Sequence, residues 1–360
     1  MLTLADQGYF FVGGRYTKTS DGQIMTGQMY VQYQIPQNRT QPYPVVMWHG
    51  GGQTGTNFMG TPDGRKGWSD YFVERGYAVY IVDQPGRARS GYFTEVYGKT
   101  RRPNTGAMSD RFTAPERANQ YPQAKLHTQW PGTGLPGDPA FDQFFASQVE
   151  DIADVSVIER LNRAAGVALL DKIGPAILLT HSQSGAFGWP VADARPNLVK
   201  ALVAAEPSGP PVHNVENIAA PDWFKDSAAT KPSGLGDVPL SYDPPLAGDA
   251  KLEFVRQDKP DKGNLVRCWM QKEPARRLPN LQRIPVVIIV AEASYHAAYD
   301  HCTAAYLTQA GVRNTLIYLA DAGVRGNGHM MMIEKNNAAV AGVIAQWLDR
   351  QKLGTRQVDR

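Results

Sequence analysis

A serine at the end of an apolar run is the first place in this chain where covalent chemistry could occur. Ile177-Leu178-Leu179-Thr180 leads straight into His181-Ser182-Gln183-Ser184-Gly185. A strand that turns sharply into a helix can present one serine hydroxyl on a strained corner, provided the neighbouring residues are small enough for backbones to crowd. The positions two before and two after Ser182 are Thr180 and Ser184, so the common Gly-x-Ser-x-Gly pattern is met only in part. Ser184 and Gly185 still keep the far side small. A serine so placed is a candidate nucleophile for acyl transfer, and it needs a base to take its proton.

Among the seven histidines, His329 lies in Gly326-Asn327-Gly328-His329-Met330-Met331-Met332, after the last apolar run Thr315–Leu319. A base on the final strand's loop can reach a serine presented in the middle of the sheet. His127, His213, His296 and His301 fall in inserted or helical stretches. His49 opens His49-Gly50-Gly51-Gly52, directly after the apolar run Val45–Trp48, and reads as a residue that stabilises a turn. Acyl transfer builds negative charge on a carbonyl oxygen, and backbone N–H groups can hold it. Gly51 in this turn, and Gln183 next to the serine, are the candidate donors. Three carboxylates compete to orient the histidine: Glu206 after Val203-Ala204-Ala205, Glu292 after Val286–Val290, and Asp300 further on. Where an Asp is usual after that second run, the chain has Ser294.

These residues need a scaffold that brings strand ends together. Apolar runs at Val45–Trp48, Ala78–Val82, Ala176–Thr180, Leu198–Ala204, Val286–Val290 and Thr315–Leu319 predict strands. Helical spacing predicts helices over Trp68–Arg75, Asp151–Leu170, Phe187–Asp193, Ala297–Ala310 and Asn336–Asp349. Strands alternating with helices point to a mostly parallel sheet covered on both faces. The alternation over Gln28–Gln34 predicts an antiparallel edge or hairpin. Asp83-Gln84-Pro85-Gly86-Arg87-Ala88-Arg89-Ser90 reads as a structural turn. Two stretches interrupt the pattern, residues 92–143 and 213–283. Loops this long are unusual without a function, and both follow strand ends on the ligand-binding edge of such a sheet. They are expected to form a lid or pocket wall on one domain spanning residues 1–360.

The net charge of +3 is small and dispersed, which argues against nucleic acid as a partner. No apolar run approaches the roughly 20 residues of a membrane span. Met1–Phe11 lacks the pattern of a signal peptide. A periplasmic or secreted location is expected if such a segment was removed, and a cytoplasmic one otherwise. Cys268 and Cys302 permit one disulfide, which would pin the second insertion to the core and imply an oxidising compartment. No Cys/His cluster has zinc-site spacing. No metal or organic cofactor is expected, and a homodimer is allowed.

Taken together, the chain resembles the α/β-hydrolase superfamily over nearly its whole length. More narrowly it is similar to a small family of bacterial esterases. The shared segments are Tyr9–Gly14, Gln28–Pro36, Thr61–Trp68, His181–Gly185, Glu206-Pro207 and Gly328–Met332. The resemblance implies the α/β-hydrolase fold, Ser182 as nucleophile, His329 as base and, unusually, Glu206 as the triad acid after the sixth strand. The similarity weakens across His213–Arg283. The expected function is hydrolysis of a small-molecule carboxylic ester through an acyl-enzyme. A lactonase using the same triad, or a catalytically inactive binding protein on the same fold, are the alternatives. If His329 behaves as an ordinary imidazole, activity should fall on the acid side with an apparent pKa of about 6 to 7.

Overall fold

The computed structural model describes residues 2–354 apart from 219, 221, 248 and 249, all four of which lie within the second insertion. Eight strands form the central sheet: β1 (Leu4–Thr19), β2 (Gly22–Pro36), β3 (Val45–Trp48), β4 (Val79–Asp83), β5 (Ala176–Ser182), β6 (Val199–Pro207), β7 (Val286–Val290) and β8 (Asn314–Tyr318). Their spatial order is β1-β2-β4-β3-β5-β6-β7-β8. From β4 to β8 all neighbours are parallel, while β1 and β2 form an antiparallel hairpin that joins the sheet through β4. This is the architecture expected from the sequence. The long partner strand β1 was not anticipated. Its side chains are mostly exposed, so it carries little apolar periodicity to read.

Side chains alternate across the sheet with the two-residue period of a strand. Val46, Trp48, Leu178, Leu202 and Ile288 pack on one face, with Ile158, Ala165 and Leu169 of α2 (Val155–Ile173) and Phe187 of α3 (Gly185–Ala194). Val45, Met47, Leu179, Val203 and Ile289 pack on the other. There Trp68 and Phe72 of α1 (Trp68–Glu74) meet Val340, Ile344 and Trp347 of α5 (Asn337–Arg350). Because both faces are buried, these parallel strands read as continuous apolar runs rather than alternating ones.

The stretch expected as a single helix over Ala297–Ala310 is a short 3-10 turn at Tyr295–Ala298, followed by α4 (Asp300–Gln309). The Ser294 side chain caps that turn by accepting the His296 N–H. Cys268 and Cys302 form a disulfide that ties the second insertion to α4. None of the described helices is long and apolar enough to cross a membrane.

Candidate active site

Ser182 ends β5 with φ of +54°, in the left-handed region that an L-residue rarely adopts. The turn is held from below. Ser184 is fully buried; its hydroxyl donates to the Trp48 carbonyl at 2.7 Å and accepts the His181 N–H at 2.8 Å. That bond ties the turn to β3, and it accounts for a serine where glycine is usual. The crowding that demands glycine falls one residue later. A Cβ on Gly185 would lie 2.4 Å from the Pro207 side chain. At Gly50 a Cβ would lie 3.0 Å from the Ser182 Cβ, so the glycine-rich turn packs directly against the serine.

His329 is buried on the loop between β8 and α5. Its Nδ1 lies 2.5 Å from Glu206 Oε2. Glu206 is completely buried at the end of β6 and also has a positive φ, +45°. Its Oε1 accepts the Ala291 N–H at 2.8 Å, and Oε2 accepts the Ser294 hydroxyl at 2.7 Å. The serine that stands after β7, where an acid is usual, thus donates to the acid from β6. Of the other two candidate carboxylates, Glu292 pairs with Arg325 at 2.8 Å and accepts the Gly326 N–H. Asp300 bonds His296 Nδ1 at 2.9 Å. Neither bonds His329. His329 Nε2, the nitrogen left over, is buried and has no hydrogen-bond partner among the described residues.

Burial dominates the electrostatics of the pair. It pushes the Glu206 carboxyl up to about 8, against the pull of His296, the Ala291 N–H and the Ser294 hydroxyl. Burial likewise holds the His329 imidazole well below its usual range, helped by His181, His296 and Arg111. His329 is walled in by rings. His296 stacks on it at 4.7 Å between centroids, Tyr295 stands at 5.0 Å and Phe112 at 5.3 Å.

Ser182 opens on a cavity of about 580 Å³, whose wall includes Gly51 and Gln183. Neither of their backbone N–H groups meets an acceptor among the described residues. Met108, Arg111 and Phe112 from the first insertion, and Asn214, Val215 and Lys231 from the second, line the same cavity. His49 holds its turn as expected: its Nδ1 bonds the Gly50 carbonyl at 2.9 Å, and its Nε2 accepts the Gln84 N–H at 3.2 Å.

Glu206, His296 and His329 bring ligand-type atoms within 4.8 Å of one another. The bonds from Glu206 to His329 and from Asp300 to His296 already engage one nitrogen of each ring, so the group reads as a hydrogen-bonded chain rather than a metal shell. In the second such group, Cys268, His301 and Cys302, the sulfurs are bonded to each other. Sequence reasoning noted Ser294 only as the residue that stands where an acid is usual, and set His296 aside among the histidines of inserted or helical stretches. It missed Arg87, whose turn was read as scaffold alone. His296 falls two residues after the unusual Ser294, and that spacing was the available signal.

Residues 45–343 match the model of the alpha/beta hydrolase family. A probable secreted lipase, phiG, of a fungal species (strain ATCC 74256) is 44% identical over 344 residues, which span 95% of this chain and 89% of the relative. Among solved structures, a novel bacterial esterase superposes with a TM-score of 0.62 at 25% identity, covering 98% of this chain and 97% of the other.

Proposed function

Because the chain belongs to the alpha/beta hydrolase family, with a lipase and an esterase among its relatives, we propose that it is a carboxylic-ester hydrolase working through a Ser182–His329–Glu206 triad. One observation carries the reading: the buried Glu206 carboxylate on His329 Nδ1, which leaves Nε2 as the ring nitrogen with no partner among the described residues.

Ser182 Oγ attacks the ester carbonyl carbon as its proton passes to His329 Nε2. The carbonyl oxygen, now negative, is held by the N–H groups of Gly51 and Gln183. The intermediate collapses, the C–O bond to the alcohol breaks, and the departing oxygen takes the proton from His329. A water then repeats the sequence on the acyl-enzyme, giving its proton to His329 and releasing the acid and the free serine. Glu206 keeps the imidazole in the tautomer with Nε2 free and balances the charge of the transient imidazolium. Its positive φ turns the carboxylate off β6 toward the histidine. The insertions 92–143 and 213–283 act as the pocket wall, an assignment that rests on the cavity residues they supply. The secreted location named for the fungal relative, together with the disulfide, favours an oxidising compartment for this chain too.

Turnover of p-nitrophenyl acetate tests the proposal. Ser182→Ala should lower kcat on the order of 10³-fold or more with the fold retained. A Ser182→Ala chain that keeps wild-type turnover would contradict it.

A further inference from the structure

Arg87 is only 2% exposed, sits in a turn after β4, and touches both segments that carry the proposed oxyanion donors. Its Nη1 donates to the Gly50 carbonyl at 2.9 Å. Its Nη2 donates to the Gln183 side-chain oxygen at 3.2 Å and lies 3.1 Å from Asp151 Oδ2. The Gly50 carbonyl and the Gly51 N–H belong to one peptide unit. That unit is planar and trans, so the N–H points opposite to the carbonyl. Whatever fixes the carbonyl therefore aims the N–H, and Arg87 shares that oxygen with His49 Nδ1 at 2.9 Å. Gly50, Gly51 and Gly52 are consecutive glycines, the residues least able to hold a peptide plane by their own steric preference.

We infer that Arg87 is a positioning residue for the oxyanion hole: it pins the Gly50–Gly51 peptide against the Gln183 side chain, and so holds the Gly51 N–H in place beside the turn that carries Ser182 and the Gln183 N–H. The inference rests on the oxyanion role proposed above for Gly51 and Gln183.

A purely structural part for Arg87, as the counter-ion of a buried aspartate, fits less well. Asp151 already has a two-pronged partner in Arg101, at 2.7 and 3.1 Å. Arg87 spends its other two bonds on neutral acceptors, one in each segment. Burial lowers its guanidinium to about 10, which still leaves it protonated at neutral pH. The clamp also reaches the first insertion. Arg101 shares Asp151 with Arg87 and lines the cavity, so the seating of that insertion is linked to the geometry of the hole.

Arg87→Met and Arg87→Lys test this against p-nitrophenyl acetate and phenylboronic acid. The boronate forms a tetrahedral adduct on a serine, which places an oxygen where the oxyanion would sit. Arg87→Met should lower kcat by about 10²-fold, the usual loss for one oxyanion contact, and weaken the boronate in parallel, while KM stays within about threefold. Arg87→Lys should show the same pattern, because one ammonium cannot hold both segments. Normal kcat in a folded Arg87→Met chain overturns the inference. So does a boronate affinity that stays at the wild-type value while kcat falls, or an Arg87→Lys chain that cannot fold at all, since that assigns the residue to folding. If Ser182→Ala is inactive and the Arg87 variants are normal, only the clamp fails. If Ser182→Ala is active, the triad reading itself fails.

Discussion

Replacing Glu206 by glutamine perturbs the site with almost no change in shape. The carboxylate accepts from the Ala291 N–H, the Ser294 hydroxyl and His329 Nδ1. A glutamine can keep one acceptor oxygen on Ala291, but it then places an NH2 group where Oε2 stood. The Ser294 hydroxyl can rotate to another acceptor. The histidine has less freedom: an amide N–H now donates to Nδ1, which forces the ring proton onto Nε2. In that tautomer Nε2 cannot take the proton of Ser182. The analogous acid-to-amide change in a serine triad costs roughly 10⁴-fold in kcat, about 5.4 kcal/mol at 1.36 kcal/mol per decade. Glu206→Gln should therefore lower kcat for p-nitrophenyl acetate by about 10³- to 10⁴-fold, with KM little changed. Glu292→Gln, which disturbs only contacts to Arg325 and Gly326, should stay within about threefold of wild type. A Glu206→Gln enzyme within about threefold of wild type would refute the assignment, most clearly if Glu292→Gln or Asp300→Asn collapsed instead.

Further predictions concern pH, the first insertion and the disulfide. Burial pushes the two partners in opposite directions, the Glu206 carboxyl up to about 8 and the His329 imidazole well below its usual range. Only the form with Glu206 ionised and His329 neutral can take the serine proton, so kcat/KM should rise with pH along an acid limb and stay level above it. A kcat/KM that falls as pH rises from about 6 to 9 contradicts this. His127 joins Glu116 and Glu334, whose carboxylates outweigh burial and raise it to about 9. Its raised pKa makes the tether fully present below the unfolded value near 6.5 and lost as pH rises through the folded one. Hydrogen exchange in residues 115–128 should accordingly speed up between pH 7 and 10, and His127→Gln should remove that dependence. A wild-type exchange rate that follows only the intrinsic pH trend would contradict it. The unreduced, denatured chain should show no titratable thiol. Cys268→Ala with Cys302→Ala should cost roughly 3–4 kcal/mol of stability for a sequence separation of 34, and an unchanged urea midpoint would count against it.

Much of the candidate site was legible in the sequence because the placement of residues at strand ends in such a sheet is tied to strand order. Ser182, Glu206 and His329 each follow an apolar run, and parallel strands with both faces buried announce themselves by such runs. The sheet order then brings their C-terminal ends together. What stayed hidden was carried by contacts between distant segments. Ser184 looked like a departure from the glycine pattern, and only the Trp48 carbonyl above it shows why a hydroxyl is useful there. Ser294 looked like a missing acid, and the Glu206 carboxylate it faces shows that it supports a different one. Arg87 lay in a turn whose chemistry depends on Gly50 and Gln183, far off in sequence. His296 was set aside with the histidines of inserted or helical stretches, whereas the capping hydroxyl of Ser294 holds a 3-10 turn that brings the ring onto His329. The strand β1 escaped because its exposed side chains obey no apolar pattern.

The proposed mechanism requires Ser182 to become covalently acylated with His329 as its base. Mass spectrometry of the chain treated with a serine-directed phosphonate should find a single adduct on the peptide that holds Ser182, lost in Ser182→Ala and formed far more slowly in His329→Ala. An adduct on Ser184, or labelling that persists undiminished in either variant, would contradict it.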